Sequence, residues 1–170
     1  MKSILFVCVG NVQRSVIAER VLQDIFVREN ICSFKVFSRG LQGSGGRAPT
    51  LYKRLQDYPD QWEASRYVLE ELKISLENHE AKPISRQDVE QASVIIAMQD
   101  VVLETEEACL AAQFPEFRSK MHSFGELDGT SGAVECGEIS VRESHEQMIR
   151  DLVQTLERFY PKILSWTDSQ

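Results

Sequence analysis

No apolar run in this 170-residue sequence approaches the roughly 20 residues that a membrane span needs. The longest one near the N-terminus, residues 4–9, is too short for a secretory signal and has no cleavage site after it. A cytoplasmic protein with no membrane partner is expected. No dense basic cluster is present either: 19 Lys and Arg face 26 Asp and Glu, for a net charge of -7, which argues against a nucleic-acid partner. The four cysteines, Cys8, Cys32, Cys109 and Cys136, include no Cys-x-x-Cys pair. Neither a zinc site nor a disulfide framework is indicated, and a reducing compartment leaves all four as thiols. There is no internal repeat and no low-complexity tract. What is present is 42% apolar and 26% charged residues, enough for one domain over 1–170 with a real core.

The chain alternates strand and helix signals. Ile4, Leu5, Phe6 and Val7 form an unbroken apolar run that stops at Cys8, as a strand buried on both faces does. From Ser15 to about Asn30, apolar residues at Ala18, Val21, Leu22, Ile25 and Phe26 recur near a period of 3.6, predicting a helix. A second strand is predicted over 35–38, a third over 94–98 and a fourth over 120–124. Helices are expected over 64–72, from Ser85 with a capping-box-like Asp88, over 103–112 and over 144–166, with a short helical turn within 51–55. Residues 40–46, 78–83 and 128–137 read as loops or turns. The pattern predicts a parallel sheet with helices on both faces and right-handed crossovers.

Cys8, Val9, Gly10, Asn11, Val12, Gln13, Arg14 and Ser15 occupy the handover from the first strand to the first helix. In open α/β sheets, ligands bind at that carboxyl edge. A loop of this length can turn its backbone N–H groups inward as an anion nest, backed by the positive end of the following helix. Gly10 permits a tight turn and Asn11 tolerates a left-handed backbone. Arg14 offers a planar fork for two phosphoryl oxygens. Such surroundings favour the Cys8 thiolate, and a thiolate beneath a bound phosphate is set for in-line attack and a phosphocysteine intermediate. The Ser15 hydroxyl is placed to bond that sulfur and make it a better leaving group.

At these residues the chain resembles the low-molecular-weight protein tyrosine phosphatases, whose signature loop is Cys-x-Gly-Asn-x-x-Arg-Ser. Further likenesses are Ala18 and Glu19 in the first helix, Ser38, Arg39 and Gly40 after the second strand, His79, Ala81 and Ile84, and Met98 with Asp100. The resemblance implies a single-domain, three-layer α/β fold. Its four-stranded parallel sheet, in the order 2-1-3-4, is flanked by helices. It implies a phosphomonoesterase that needs no metal or other cofactor and acts on a phosphorylated protein or small phosphate ester. It also implies a buried network of Asn11, Ser15, Ser38 and His79 bracing the loop.

The chain departs from that pattern in three places. It contains no Asp-Pro pair, the family's source of the general acid; Asp128, Glu135 and Glu138 are the candidates, with the count from the last helix favouring Glu135 and Glu138. The aromatic residues that flank a phosphotyrosine ring are missing from that same loop. Gln13 stands where many relatives carry a second, protective cysteine. Residues 41–62 run longer than the family needs, and Tyr52, Tyr58 and Trp62 there either wall the cleft or pack as a peripheral cluster. The reading is a cysteine-dependent phosphatase for phosphotyrosine or aryl phosphates. The alternatives are a phosphate-binding module with weak or lost catalysis and an arsenate reductase using Cys109 or Cys136.

Overall fold

The computed structural model describes residues 1–105, 107–130 and 142–168. Strand β1 (Lys2–Cys8) lies at the interior of the sheet, between β2 (Phe34–Gly40) and β3 (Val94–Ala97), and β4 (Met121–Ser123) pairs beyond β3. All three pairings are parallel, so the order is β2-β1-β3-β4. The unbroken apolar run of β1 is explained by this position. Ile4 and Phe6 enter the core on one face, while Leu5 and Val7 enter the core on the other. The register sets Cys8 beside Gly40 and Val7 beside Ala97, so the strand ends converge at one edge.

Helix α1 (Arg14–Arg28) follows β1 after a five-residue loop and buries Val16, Ile17, Val21, Leu22 and Ile25. Helix α2 (Pro59–Glu71) starts before the expected residue 64, because Pro59 at the first turn needs no N–H partner and holds a helical φ. Helix α3 (Arg86–Gln91) opens on a reciprocal capping box. The Asp88 N–H donates to Ser85 Oγ at 3.2 Å, and the Ser85 N–H donates to the Asp88 carboxylate at 3.0 Å.

The helix expected over 103–112 is not continuous. A wide helical turn at Val101–Thr105 gives way to a four-residue helix, α4 (Leu110–Gln113). Ala108 has φ 55°, a left-handed conformation that no helix accommodates, and the preceding turn closes on Gln99, whose carbonyl accepts from both the Val102 and Leu103 N–H groups. The helical turn expected within 51–55 falls at Leu55–Asp57. Strand β4 is shorter than expected because Ser123 caps the turn that follows it, its N–H donating to Glu126 at 2.8 Å.

The last helix, α5 (Arg142–Trp166), lays Met148, Ile149, Leu152, Leu156 and Ile163 into the larger core with residues of α1 and α2. No described helix is long and apolar enough to cross a membrane.

Candidate active site

The loop between β1 and α1 lines a cleft of about 490 Å³ together with Cys8 and Arg14. Cys8 is 3% exposed and sits at the last position of β1. Its Sγ receives the Asn11 N–H at 3.1 Å and lies 3.0 Å from Ser15 Oγ. The Ser15 oxygen already accepts from the Asn11 amide at 3.1 Å. Its proton is therefore available to the sulfur. Two hydrogen-bonding groups, both buried, thus converge on Sγ.

Asn11 organises this arrangement. It is fully buried and has φ 57°, a region that Asn enters more readily than most side chains. Its side-chain amide donates to Ser15 Oγ and to Ser38 Oγ, the latter at 2.9 Å, while its Oδ1 accepts the Lys82 N–H at 3.0 Å. His79 Nε2 donates to the Asn11 carbonyl at 2.8 Å. Ser38 passes its own proton on to Glu19 at 2.6 Å. Asn11, Ser15, Ser38 and His79 are therefore brought together, with Glu19 as a further member. Burial pushes the His79 imidazole below its usual range, outweighing the bond to Asn11.

Gly40 makes room for the loop. A Cβ there would stand 2.9 Å from the Gly10 carbonyl carbon and 3.0 Å from the Asn11 nitrogen. The fit is one of space. Gly40 itself is tied to the segment carrying His79: its N–H donates to Lys82 O and its carbonyl accepts from Ile84.

Arg14 is half-buried, lines the cleft, and has no ion-pair partner among the described residues. Val9, Gly10, Val12 and Gln13 line the same wall. Gln42, Leu51, Tyr58, Gln61 and Gln99 also line the cleft. Of the three aromatic residues singled out in the 41–62 segment, Tyr58 reaches the cleft. Tyr52 packs edge-on against it at 5.1 Å, and Trp62 packs on the larger core. No carboxylate lines the cleft among the described residues.

Asp128 is exposed and does not line the cleft; its carboxylate accepts from the Thr130 N–H and hydroxyl at 3.0 and 2.7 Å. Glu135, Glu138 and Cys136 lie outside the described residues. Cys109 is buried just before α4 and does not reach the cleft. Among the described residues there is no group of His, Cys, Asp and Glu arranged to hold a metal.

His145 and Ser65, which bond the loop from α5 and α2, were not singled out by sequence reasoning. His145 lines the cleft, and Ser65 contacts both His145 and Gln13. The signal was there: His145 precedes Ile149 by four positions, on the buried stripe of α5, and Ser65 precedes Leu69 by four on α2.

A family model described as low molecular weight phosphotyrosine protein phosphatase matches residues 3–165. The protein-arginine-phosphatase of Bacillus subtilis (strain 168) is 28% identical over 164 residues, covering 91% of this chain and 97% of its own length. Wzb, a low molecular weight protein-tyrosine-phosphatase of Escherichia coli (strain K12), is 34% identical over 128 residues, covering 74% of this chain and 71% of its own. A solved YwlE arginine phosphatase variant with a phosphorylated active-site serine shares the fold at TM-score 0.71 and 26% identity, with 95% of each chain covered.

Proposed function

The chain belongs to the low molecular weight phosphotyrosine protein phosphatase family, and on that premise we propose that it hydrolyses aryl phosphate monoesters, phosphotyrosine in proteins among them, through a phosphocysteine. The observation that carries this reading is the sulfur of Cys8, bonded by the Asn11 N–H and Ser15, in a cleft that Arg14 also lines.

The phosphate is gripped by the loop from Val9 to Gln13 and by the Arg14 fork. The Cys8 thiolate attacks phosphorus while the bond to the aryl oxygen breaks, and the leaving oxygen takes a proton from a general acid. Water then attacks the phosphocysteine, the P–S bond breaks, and inorganic phosphate leaves. The Ser15 hydroxyl stabilises the departing sulfur anion. Asn11, Ser38 and His79 keep the loop in place. The proton donor is assigned to the segment before α5, with Glu135 and Glu138 ahead of Asp128, which does not line the cleft. A reducing cytoplasm suits an enzyme whose nucleophile must stay a thiol.

A phosphorylated arginine is the second reading, favoured by the full-length likeness to a protein-arginine-phosphatase. The cleft lining argues for the aryl class: Val12, Leu51 and Tyr58 are suited to a ring.

A chromogenic aryl phosphate tests the proposal. Wild type is expected to turn over at mildly acidic to neutral pH with a product burst, and Cys8→Ser to lose roughly 10⁴-fold or more. An inactive wild-type protein overturns it. Faster release of phosphate from phosphoarginine peptide than from phosphotyrosine peptide would select the second reading.

A further inference from the structure

The most deeply buried histidine among the described residues is not part of the network around Asn11. His145 is 1% exposed, close to the start of α5, and it lines the cleft that holds Cys8. Its Nδ1 lies 3.0 Å from Gln13 Nε2 and 3.3 Å from Ser65 Oγ, and Gln13 Nε2 lies 2.7 Å from that same oxygen. An amide nitrogen only donates. Nδ1 is therefore the acceptor, and the neutral ring carries its proton on Nε2. Gln13 spends both amide protons in this triangle, one on Ser65 and one on His145. Ser65 is fully buried and Gln13 nearly so, and such bonds are electrostatically stronger away from water.

Gln13 occupies a mechanically sensitive place. It is the loop residue immediately before Arg14, and it caps α1 with φ -132° and ψ -82°. The Ile17 N–H donates to its carbonyl at 2.9 Å. Its backbone therefore sets both where the loop becomes helix and the direction in which Arg14 leaves the chain.

We propose that His145 and Ser65 are positioning residues for phosphate binding: acting through the Gln13 amide from two different helices, they fix the loop and Arg14 over Cys8. The proposal rests on the phosphatase reading and deepens it, adding α2 and α5 to the elements that hold the loop.

Variants of His145 and Gln13 test this in the full chain, with kcat and KM measured on an aryl phosphate and affinity measured for inorganic phosphate. His145→Ala is expected to weaken phosphate binding and kcat/KM by about 3- to 10-fold, the effect of one lost hydrogen bond. His145→Asn, whose Oδ1 stands near the place of Nδ1, is expected to recover most of that loss. Gln13→Ala should cost as much as His145→Ala, and the double variant no more than either.

Three outcomes overturn the proposal. In the first, His145→Ala lowers only the melting temperature and leaves both constants intact. In the second, losses multiply in the double variant. In the third, His145→Asn is as impaired in kcat as His145→Ala while phosphate affinity is unchanged, the signature of a proton donor. If His145→Ala does not fold, Ser65→Ala removes the other arm and carries the same comparison. Phosphate affinity is also read in a Cys8→Ser background, so a protein without turnover would fail the phosphatase reading and still report on this one.

Discussion

Asn11 combines a backbone that most side chains resist with a side chain whose donors and acceptor are all used. Its left-handed φ turns the main chain so that its N–H meets Cys8 Sγ and its carbonyl meets His79. This is why His79 belongs to the site although it lies far along the chain. Because burial holds the folded imidazole below its ordinary range, the unfolded chain takes up that proton first as pH falls from about 7. Folding stability is therefore lost through that window and levels off once the folded ring is protonated as well. Melting curves should drop more between about pH 7 and 5 for wild type than for His79→Gln, which keeps a donor for Asn11 without the titration. An equal drop in both would remove His79 as the cause. At this scale Cys8, Arg14, Ser15 and Asn11 were legible from their spacing and chemistry. Ser38 and His79 were legible only through the family likeness, and Ser65 and His145 were not, because small polar residues on buried helical stripes look like core filler.

Gly40 couples β2 to the loop after β1 by contact. Adding one methyl there would press on the backbone of Gly10 and Asn11, neither of which can retreat without moving the atoms around Sγ. Gly40→Ala should cost about 1–3 kcal/mol in chemical denaturation, the range for overpacking, and should also raise KM for an aryl phosphate. Unchanged values for both would mean that the loop yields freely. The strands, α1, α3 and α5 were legible because their apolar periods are clean or their caps are explicit. The early start of α2 was hidden by Pro59, which reads as a breaker yet fits a first turn. The break between residues 103 and 112 was hidden because Ala108 is a strong helix former by composition, yet here it takes a left-handed backbone where the chain turns toward α4.

Two apolar cores lie against opposite faces of one sheet, and α5 belongs to the larger, where it packs against both α1 and α2. Leu152 is fully buried at the middle of that contact. Leu152→Ala should cost about 2–5 kcal/mol by denaturant titration, the usual sum of lost transfer energy and residual cavity. A loss below 1 kcal/mol would show that α5 can collapse onto the gap, a result expected only of a loosely held helix. The parallel sheet with helices on both faces was legible from the alternation of strands and helices, and the order of its strands through the likeness alone.

The pairing of α1 with α5 also has a temporal side. Ribosomes deliver α1 before α5, so the greasy flank of the first helix waits without cover until the later helix is made. Until α5 clears the exit tunnel, that flank is open to aggregation on the nascent polypeptide. Premature termination ahead of that helix would yield an aggregating fragment rather than a feeble catalyst.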